Sequence, residues 1–385
     1  MDKLKTRLGR YEETIAGGET VRAFVPPPLP PEPSIDIAGL VGDLSKAERA
    51  LGRLDGVSLM LPNKELFLYM YVRKEAVLSS QIEGTQSTLS DLLRFESEAL
   101  SGQPIDDVRE VSNYVDAMMH GLSRLDTLPL SLRLIREMHA KLLDSGRGGT
   151  KNPGAFRTSQ NWIGGTRPGN ALFVPPPANR VMDCLDDWET YLHDELSDLP
   201  PLIKAGLLHV QFETIHPFLD GNGRLGRLLI TLYLCSVGVL NQPLLYLSLY
   251  FKTHRPDYYR LLQEVREYGH WEAWLEFFLQ GVAETADAAF DTANAIVALF
   301  AADREKIANE AKGAGSALQI HDAMRTTPYI SAPKATEITG LSMPTVNSAL
   351  EQLQSLGVLE EVTGKRRGRV FAYTAYLDVL ADRTG

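Results

Sequence analysis

Over most of the chain, apolar residues recur three and four positions apart, the spacing that places them on one face of an α-helix. The pattern predicts a helix over Ile37–Leu54. After Pro62 it predicts another over Lys64–Glu83, where Leu66, Tyr69, Met70, Val77 and Leu78 supply the stripe. Further amphipathic helices are expected at Ser87–Leu100, Asp107–Leu125, Leu132–Leu143, Val181–Leu196 and Leu202–Ile215. Leu228–Val237 is apolar nearly all round and reads as a buried helix. Tyr246–Phe251 and Asp257–Arg266 continue the bundle, followed by Trp271–Phe278 and an alanine-rich helix from Gly281 to Ala311. The helical period fails near the start and again in mid-chain. Residues 1–25 read as a loose lead-in, and Pro26–Pro31 as a stiff strap lying along the protein. Between Pro153 and Pro177, the strand candidates Gln160–Ile163 and Ala171–Val174 flank Gly164–Asn170, which makes a hairpin.

Lys312–Ser316 reads as a linker to a separate C-terminal module. There Leu318–Arg325, Ala332–Thr339 and Met343–Leu356 are helical, the last opened by Ser342 and Pro344 and closed by Gly357. Val358–Val362 and Arg369–Tyr373 are strands around the turn Thr363–Gly368, an order that resembles a winged helix. From Ser316 onward the basic and acidic residues balance at seven each, with Lys365, Arg366, Arg367 and Arg369 in the wing. The third helix offers Ser342, Thr345, Asn347 and Ser348 but no cation, a thin set for reading bases. Duplex DNA and a docked protein are both left open as partners of this module.

Composition narrows the class further. A net charge of −10 argues against a protein that coats nucleic acid or anionic membrane by bulk electrostatics. Cys184 and Cys235 both lie in apolar, helix-like runs and read as buried thiols in a reducing compartment. No zinc spacing occurs, and Met1–Arg7 has no apolar core of a signal peptide. The longest apolar run falls short of the ~20 residues that cross a bilayer. A cytoplasmic protein without membrane contact is the expectation.

One stretch concentrates chemistry: His216-Pro-Phe-Leu-Asp-Gly-Asn-Gly-Arg-Leu-Gly-Arg227. Gly221, Asn222 and Gly223 form a turn at the start of a helix, where unpaired N–H groups and the helix dipole favour an anion. Arg224 and Arg227 fall on one helix face and can grip successive phosphates. Asp220 is a hard oxygen ligand suited to a magnesium ion shared with those phosphates, and His216 can take a proton at neutral pH. Together they read as a site for moving a phosphate-containing group. Gly221-Asn-Gly-Arg-Leu-Gly226 also fits the dinucleotide fingerprint, but the segment before it is helical and no acid lies near Gln242–Tyr246.

The twelve residues resemble the signature of the Fic-domain family, with every fixed position met. The resemblance implies a mostly α fold: a helical bundle with a β-hairpin flap, here followed by the winged-helix module. It implies transfer of AMP from ATP, with Mg2+, to a hydroxyl side chain of a protein target. His216 would then be the base, Phe218 the loop's anchor and Asp220 the metal ligand. Gly221, Asn222, Gly223, Arg224, Leu225, Gly226 and Arg227 would surround the phosphates. Asn161, Trp162, Ile163 and Gly164 of the flap would line the nucleotide and meet the target, and Phe156-Arg-Thr-Ser-Gln160 matches the flap motif. Tyr258 or Tyr259 is the candidate to stack on the base. Ser79-Ser-Gln-Ile-Glu-Gly84 matches the family's inhibitory motif, which implies that Glu83 pairs with Arg227. A carboxylate at a helix C-terminus needs a cation for its own reasons, since the dipole there costs roughly 0.3–1 kcal/mol. The expected organisation is an inhibitory segment at 1–110, the catalytic core at 111–311 and the module at 316–385. The rival readings are a DNA-binding regulator with a sensor core, and removal of AMP or transfer of another phosphate-bearing group. A homodimer is left open.

Overall fold

Two glycines decide how the chain begins. Gly17 and Gly18 both take positive φ (55° and 83°), the conformation a tight two-residue hairpin turn demands. They join β1 (Arg10–Ala16) to β2 (Glu19–Val25), antiparallel from Arg10↔Val25 to Ala16↔Glu19. Arg10–Val25, expected as part of a loose lead-in over residues 1–25, is therefore an ordered hairpin in a computed structural model describing residues 7–60, 64–96, 105–144, 149–195, 198–365 and 368–381, and the start of that lead-in lies outside the described residues. The adjacent Gly17-Gly18, a two-residue hairpin turn, carried the signal. The proline segment that follows is tied down at the Pro27 carbonyl, which accepts from Gln211 Nε2 at 2.7 Å.

The helices then come nearly as the apolar period places them: α1 (Ile37–Met60), α2 (Lys64–Ile82), α3 (Leu89–Glu96), α4 (Ile105–Leu125), α5 (Leu132–Leu142) and α6 (Val181–Leu192). At the centre are α7 (Pro201–Ile215) and α8 (Asn222–Ser236), packed on each other. Every residue of α7 from Leu202 to Ile215 is buried. That is tolerable because most of its polar side chains find partners. His209 lies between the Gly226 carbonyl and the Tyr258 hydroxyl, Thr214 donates to the Val210 carbonyl, and Lys204 donates to the Asp194 carbonyl. Around this pair, α6, α10 (Arg255–Tyr268) and α11 (Trp271–Glu310) pack on α7, and α2, α4 and α5 on α8; the short α9 (Ser248–Thr253) packs on α2.

The break expected between Trp271–Phe278 and Gly281 does not occur. α11 is one helix of 40 residues, and Gly281 sits inside it because a Cβ there would press on the Tyr250 ring at 2.6 Å. The glycine is a packing residue, not a stop. The expected linker also shrinks, since α12 (Ala314–Ala323) starts within it and Gly313 precedes its first residue. Then follow β3 (Tyr329–Ser331), α13 (Ala332–Thr339), α14 (Met343–Ser355), β4 (Glu360–Glu361), β5 (Val370–Ala372) and α15 (Thr374–Ala381). The sheet runs β3-β5-β4, antiparallel throughout. Of the wing cations, Arg366 and Arg367 lie outside the described residues, and Arg369 faces Glu351 at 3.5 Å. α12 and α15 pack back on α11, and the buried apolar residues form one cluster from Val25 to Leu380. Among the described residues no helix is long and apolar enough to cross a membrane.

The mid-chain hairpin is looser than expected. In place of two strands there is a single bridge, Ile163↔Phe173, and a 3-10 turn at Pro168–Asn170. Pro175, Pro176 and Pro177 follow at once and carry no N–H to extend a ladder. The other side of this segment is taken by β2, whose Phe24 N–H donates to the Val174 carbonyl at 2.9 Å. Glu19–Arg167 at 2.6 Å and the Phe24–Phe173 ring pair fasten the two further.

Candidate active site

The loop between α7 and α8 is held in shape by its own side chains. α7 ends at His216, which takes the left-handed conformation (φ 49°, ψ 61°) while its N–H donates to the Phe212 carbonyl. Asn222 then clamps the loop: the Phe218 N–H donates to its Oδ1 and its Nδ2 donates to the Phe218 carbonyl, both at 2.9 Å. The side-chain amide is thus engaged with the backbone of Phe218, and what Asn222 can turn toward an anion is its own N–H. Phe218 is fully buried, stacked on His139 at 3.7 Å and close to Phe156, as an anchor should be. His139 was not legible as a site residue. Its Nδ1 accepts from the Gly154 N–H, so its Nε2 is the protonated nitrogen and donates to the Asp220 carbonyl at 3.0 Å. Burial pushes that imidazole down to about 4, which keeps this tautomer neutral.

The loop opens onto a cavity of about 300 Å³ lined by Glu83, Glu110, His216, Asp220, Gly223 and Arg224 among others. Its floor is the start of α8. The N–H groups of Asn222, Gly223 and Arg224 come before the first intrahelical bond, Leu225 N–H to the Gly221 carbonyl, an arrangement that favours an anion. Arg224 is buried, 3.4 Å from Glu110 of α4 and 3.7 Å from Asp220. Asp220 accepts from the Gly221 N–H at 2.6 Å, and its carboxylate is 41% exposed. No cluster of three or more metal-holding side chains occurs among the described residues. A single open carboxylate beside an anion site suits magnesium, which is usually held by one or two carboxylates plus substrate phosphates.

His216 faces this cavity with a neutral ring. Burial, helped by the nearby cations Arg266 and Arg157, pushes its imidazole down to about 3, and its buried Nδ1 has no hydrogen-bond partner among the described residues. A neutral imidazole is the form that accepts a proton.

Opposite lies the end of α2. Gly84 turns the chain with φ 98°, leaving Glu83 just past the helix. Arg227, buried to 2%, donates from Nε to Ser79 Oγ at 2.9 Å and from Nη2 to the Ser79 carbonyl at 3.0 Å. Its Nη2 also meets Glu83 Oε1 at 2.7 Å. Burial alone would raise the Glu83 carboxyl, but the attraction of Arg227 outweighs it and holds the group below its usual range. Gly223 makes the approach feasible, because a Cβ there would overlap Glu83 Oε1. Ser79, Glu83 and Arg227 are thus brought together as the sequence implied.

Other expected residues fall elsewhere. Tyr258 is 1% exposed, wedged among Phe251, Trp274 and His209 and hydrogen-bonded to His209. It has no open ring face, so the stacking role expected of it is not available. Tyr259 next to it is 40% exposed. Leu225 is core, and Gly226 lies against Phe212 and Glu213 of α7. Asn161 donates to the Phe218 carbonyl at 3.0 Å, which joins the flap to the loop, while Trp162 is partly exposed and Ile163 and Gly164 make the bridge and turn.

Comparison with known proteins matches residues 41–123 to the Fic/DOC family N-terminal region and residues 129–234 to the Fic/DOC family. A protein adenylyltransferase Fic from Drosophila grimshawi is 30% identical over 210 residues, 54% of this chain. The same stretch is 40% of that relative, so the chain spans well under half the length of the curated protein it matches. A Fic family protein from Desulfovibrio desulfuricans superposes with a TM-score of 0.57 at 20% identity, covering 87% of this chain and 95% of that one. A Fic domain containing signaling protein from Bacteroides thetaiotaomicron gives 0.51 at 18% identity, over 65% and 97%.

Proposed function

Through residues 41–123 and 129–234 the chain belongs to the Fic/DOC family, and we propose that it is a protein adenylyltransferase held in check by Glu83. The observation that carries this reading is the cavity itself. A neutral His216, the N-terminus of α8, Arg224 and Asp220 all line one space. An activity that moves AMP needs these parts and little more, since phosphoryl-type transfer is mostly positioning and charge neutralisation. The relative from Drosophila carries the same activity in its name.

In this mechanism ATP lies with its phosphates over the first turn of α8, between Arg224 and Arg227. His216 takes the proton of a protein hydroxyl presented beside the flap, and the oxygen attacks the alpha-phosphorus. Pyrophosphate departs toward the arginines. Magnesium held by Asp220 would supply further neutralisation of the phosphate charge. Glu83 stands in the way, because while it occupies Arg227 that guanidinium cannot align the terminal phosphate. Misplacement by about 1 Å can cost ~100-fold in rate.

The test is to incubate the purified chain with ATP labelled in the alpha or the gamma position. Labelling of protein from the alpha position alone is expected. Labelling from the gamma position alone would mean phosphate transfer, and would remove the adenylyl reading.

A further inference from the structure

Arg157 is nearly fully buried yet faces no carboxylate among the described residues; its guanidinium is satisfied by carbonyl oxygens. Nε donates to His216 O at 2.9 Å, and Nη2 to Pro176 O at 2.6 Å and Ile215 O at 3.3 Å. Nη1 reaches Ser159 O at 3.3 Å, and the Arg157 N–H donates to Pro217 O at 2.9 Å. One side chain and its own backbone therefore join both ends of the flap to three successive residues at the end of α7. Burying an arginine this way is costly, and burial does pull its guanidinium down to about 10. A merely structural staple would be served by a neutral group. Arg157 instead brings its charge against the last carbonyls of α7, the negative end of that helix dipole.

We propose that Arg157 is a positioning residue for the transfer reaction, fixing the left-handed backbone of His216 so that the imidazole faces the cavity at the height of the flap. It touches no reacting atom. The flap that presents the target and the residue that receives the proton are set by the same guanidinium, so the distance between them is fixed before either ligand binds. This inference rests on the adenylyl-transfer reading. Around His216 the other charged groups that bear most on the ring are Arg266 from α10 and Glu83 beyond α2, while Asp220, Arg224 and Glu110 line the same cavity. Arg157 and Arg266 oppose protonation of the ring, and Glu83 favours it. Loss of Arg157 should therefore leave a misplaced and more basic imidazole.

The experiment uses the full chain carrying Glu83→Gly, with Arg157→Lys and Arg157→Gln added separately. Initial rates with alpha-labelled ATP are measured against ATP concentration, and the His216 ring is titrated by NMR. Arg157→Lys keeps the charge but not the fork, so kcat should fall tenfold or more while KM for ATP changes less than about threefold. Arg157→Gln should also move the His216 titration upward, toward the ordinary value of ~6.5. A lysine variant with parent-like kcat overturns the proposal, as does a fall in rate that only matches a fall in folded fraction by circular dichroism. If Arg157→Gln does not fold, the lysine variant decides alone. If the Glu83→Gly parent labels nothing, the adenylyl reading has failed. The NMR titration still judges Arg157, and an unmoved His216 in Arg157→Gln then sinks its role.

Discussion

His216 holds a backbone conformation that costs a side-chain-bearing residue about 1–2 kcal/mol, and it does so where the chain leaves a wholly buried helix. The neighbours pay that cost: Asn222 clamps Phe218, Phe218 stacks on His139, and Arg157 holds the His216 carbonyl. Replacing Asn222 by Ala leaves the Phe218 N–H without its partner in a buried site. It should lower stability by about 1–3 kcal/mol in urea unfolding and abolish transfer as the loop relaxes. His216→Ala should abolish transfer with nucleotide affinity kept within a few-fold, read by calorimetric titration, since the phosphate contacts proposed above lie on α8. The pH profile follows from the imidazole being pushed down to about 3. A ring neutral well below pH 6 accepts a proton throughout the physiological range. The acidic limb of the rate should thus fall far below the ~6.5 of a free histidine. A rate that halves near pH 6.5 would contradict that environment. That His216, Asp220, Gly223 and Arg224 share one cavity was legible, because the stretch 216–227 gathers a base, a carboxylate, a glycine turn and an arginine by type and spacing. Arg157 and His139 were not, because nothing local distinguishes a buried cation or imidazole that serves distant carbonyls.

At the scale of elements, the relation that matters is α2 against α8. Glu83 lies just past the end of one helix and Arg227 in the second turn of the other, at 2.7 Å, with Ser79 completing the guanidinium's bonds. Since the Glu83 carboxylate is partly exposed, the pair is screened, and Glu83→Gly should cost only ~1 kcal/mol of stability. Its effect on rate should be far larger, tenfold to several hundredfold. Adding Arg227→Ala should cancel the gain, because the freed guanidinium is what aligns the nucleotide. A double variant as fast as the single one would mean that Glu83 acts by filling space alone. The need of Glu83 for a cation was visible in the sequence from its place at a helix end, and the resemblance to the inhibitory motif named Arg227 as that cation. The elements around it were less so. β1 and β2 were missed although Gly17-Gly18 announces a tight turn, the flap's strands reduce to one bridge because prolines follow at once, and Tyr258 was misplaced because core and stacking aromatics share one helical pattern.

The whole molecule has a pH signature of its own. His139 and His321 are pushed by burial to about 4, and His209 and His216 to about 3. Unfolding below pH 6.5 therefore takes up protons at all four, which removes stability as the solution is acidified. Glu75 and Glu213 are buried and pushed up to about 7, so they hold protons in the fold that the unfolded chain would release. Their contribution is complete below the ordinary carboxylate range and is lost as pH rises through 7. The four histidines outnumber the two carboxyls on the acid side, so urea midpoints should rise from acid to about pH 7 and level off above it. A midpoint rising steadily from pH 6 to 8 would show that the two carboxyls are ionised in the fold. That one apolar cluster runs from β2 to α15 further predicts a single unfolding transition for residues 7–381. The central claim, an AMP-transfer site checked by Glu83, is tested most directly by alpha-labelled ATP given to the Glu83→Gly chain with and without His216→Ala. Strong labelling by the first, many-fold above the unaltered chain, and none by the second is the expected result. Glu83→Gly protein that stays as silent as the unaltered chain, or that labels equally well without His216, would contradict the account.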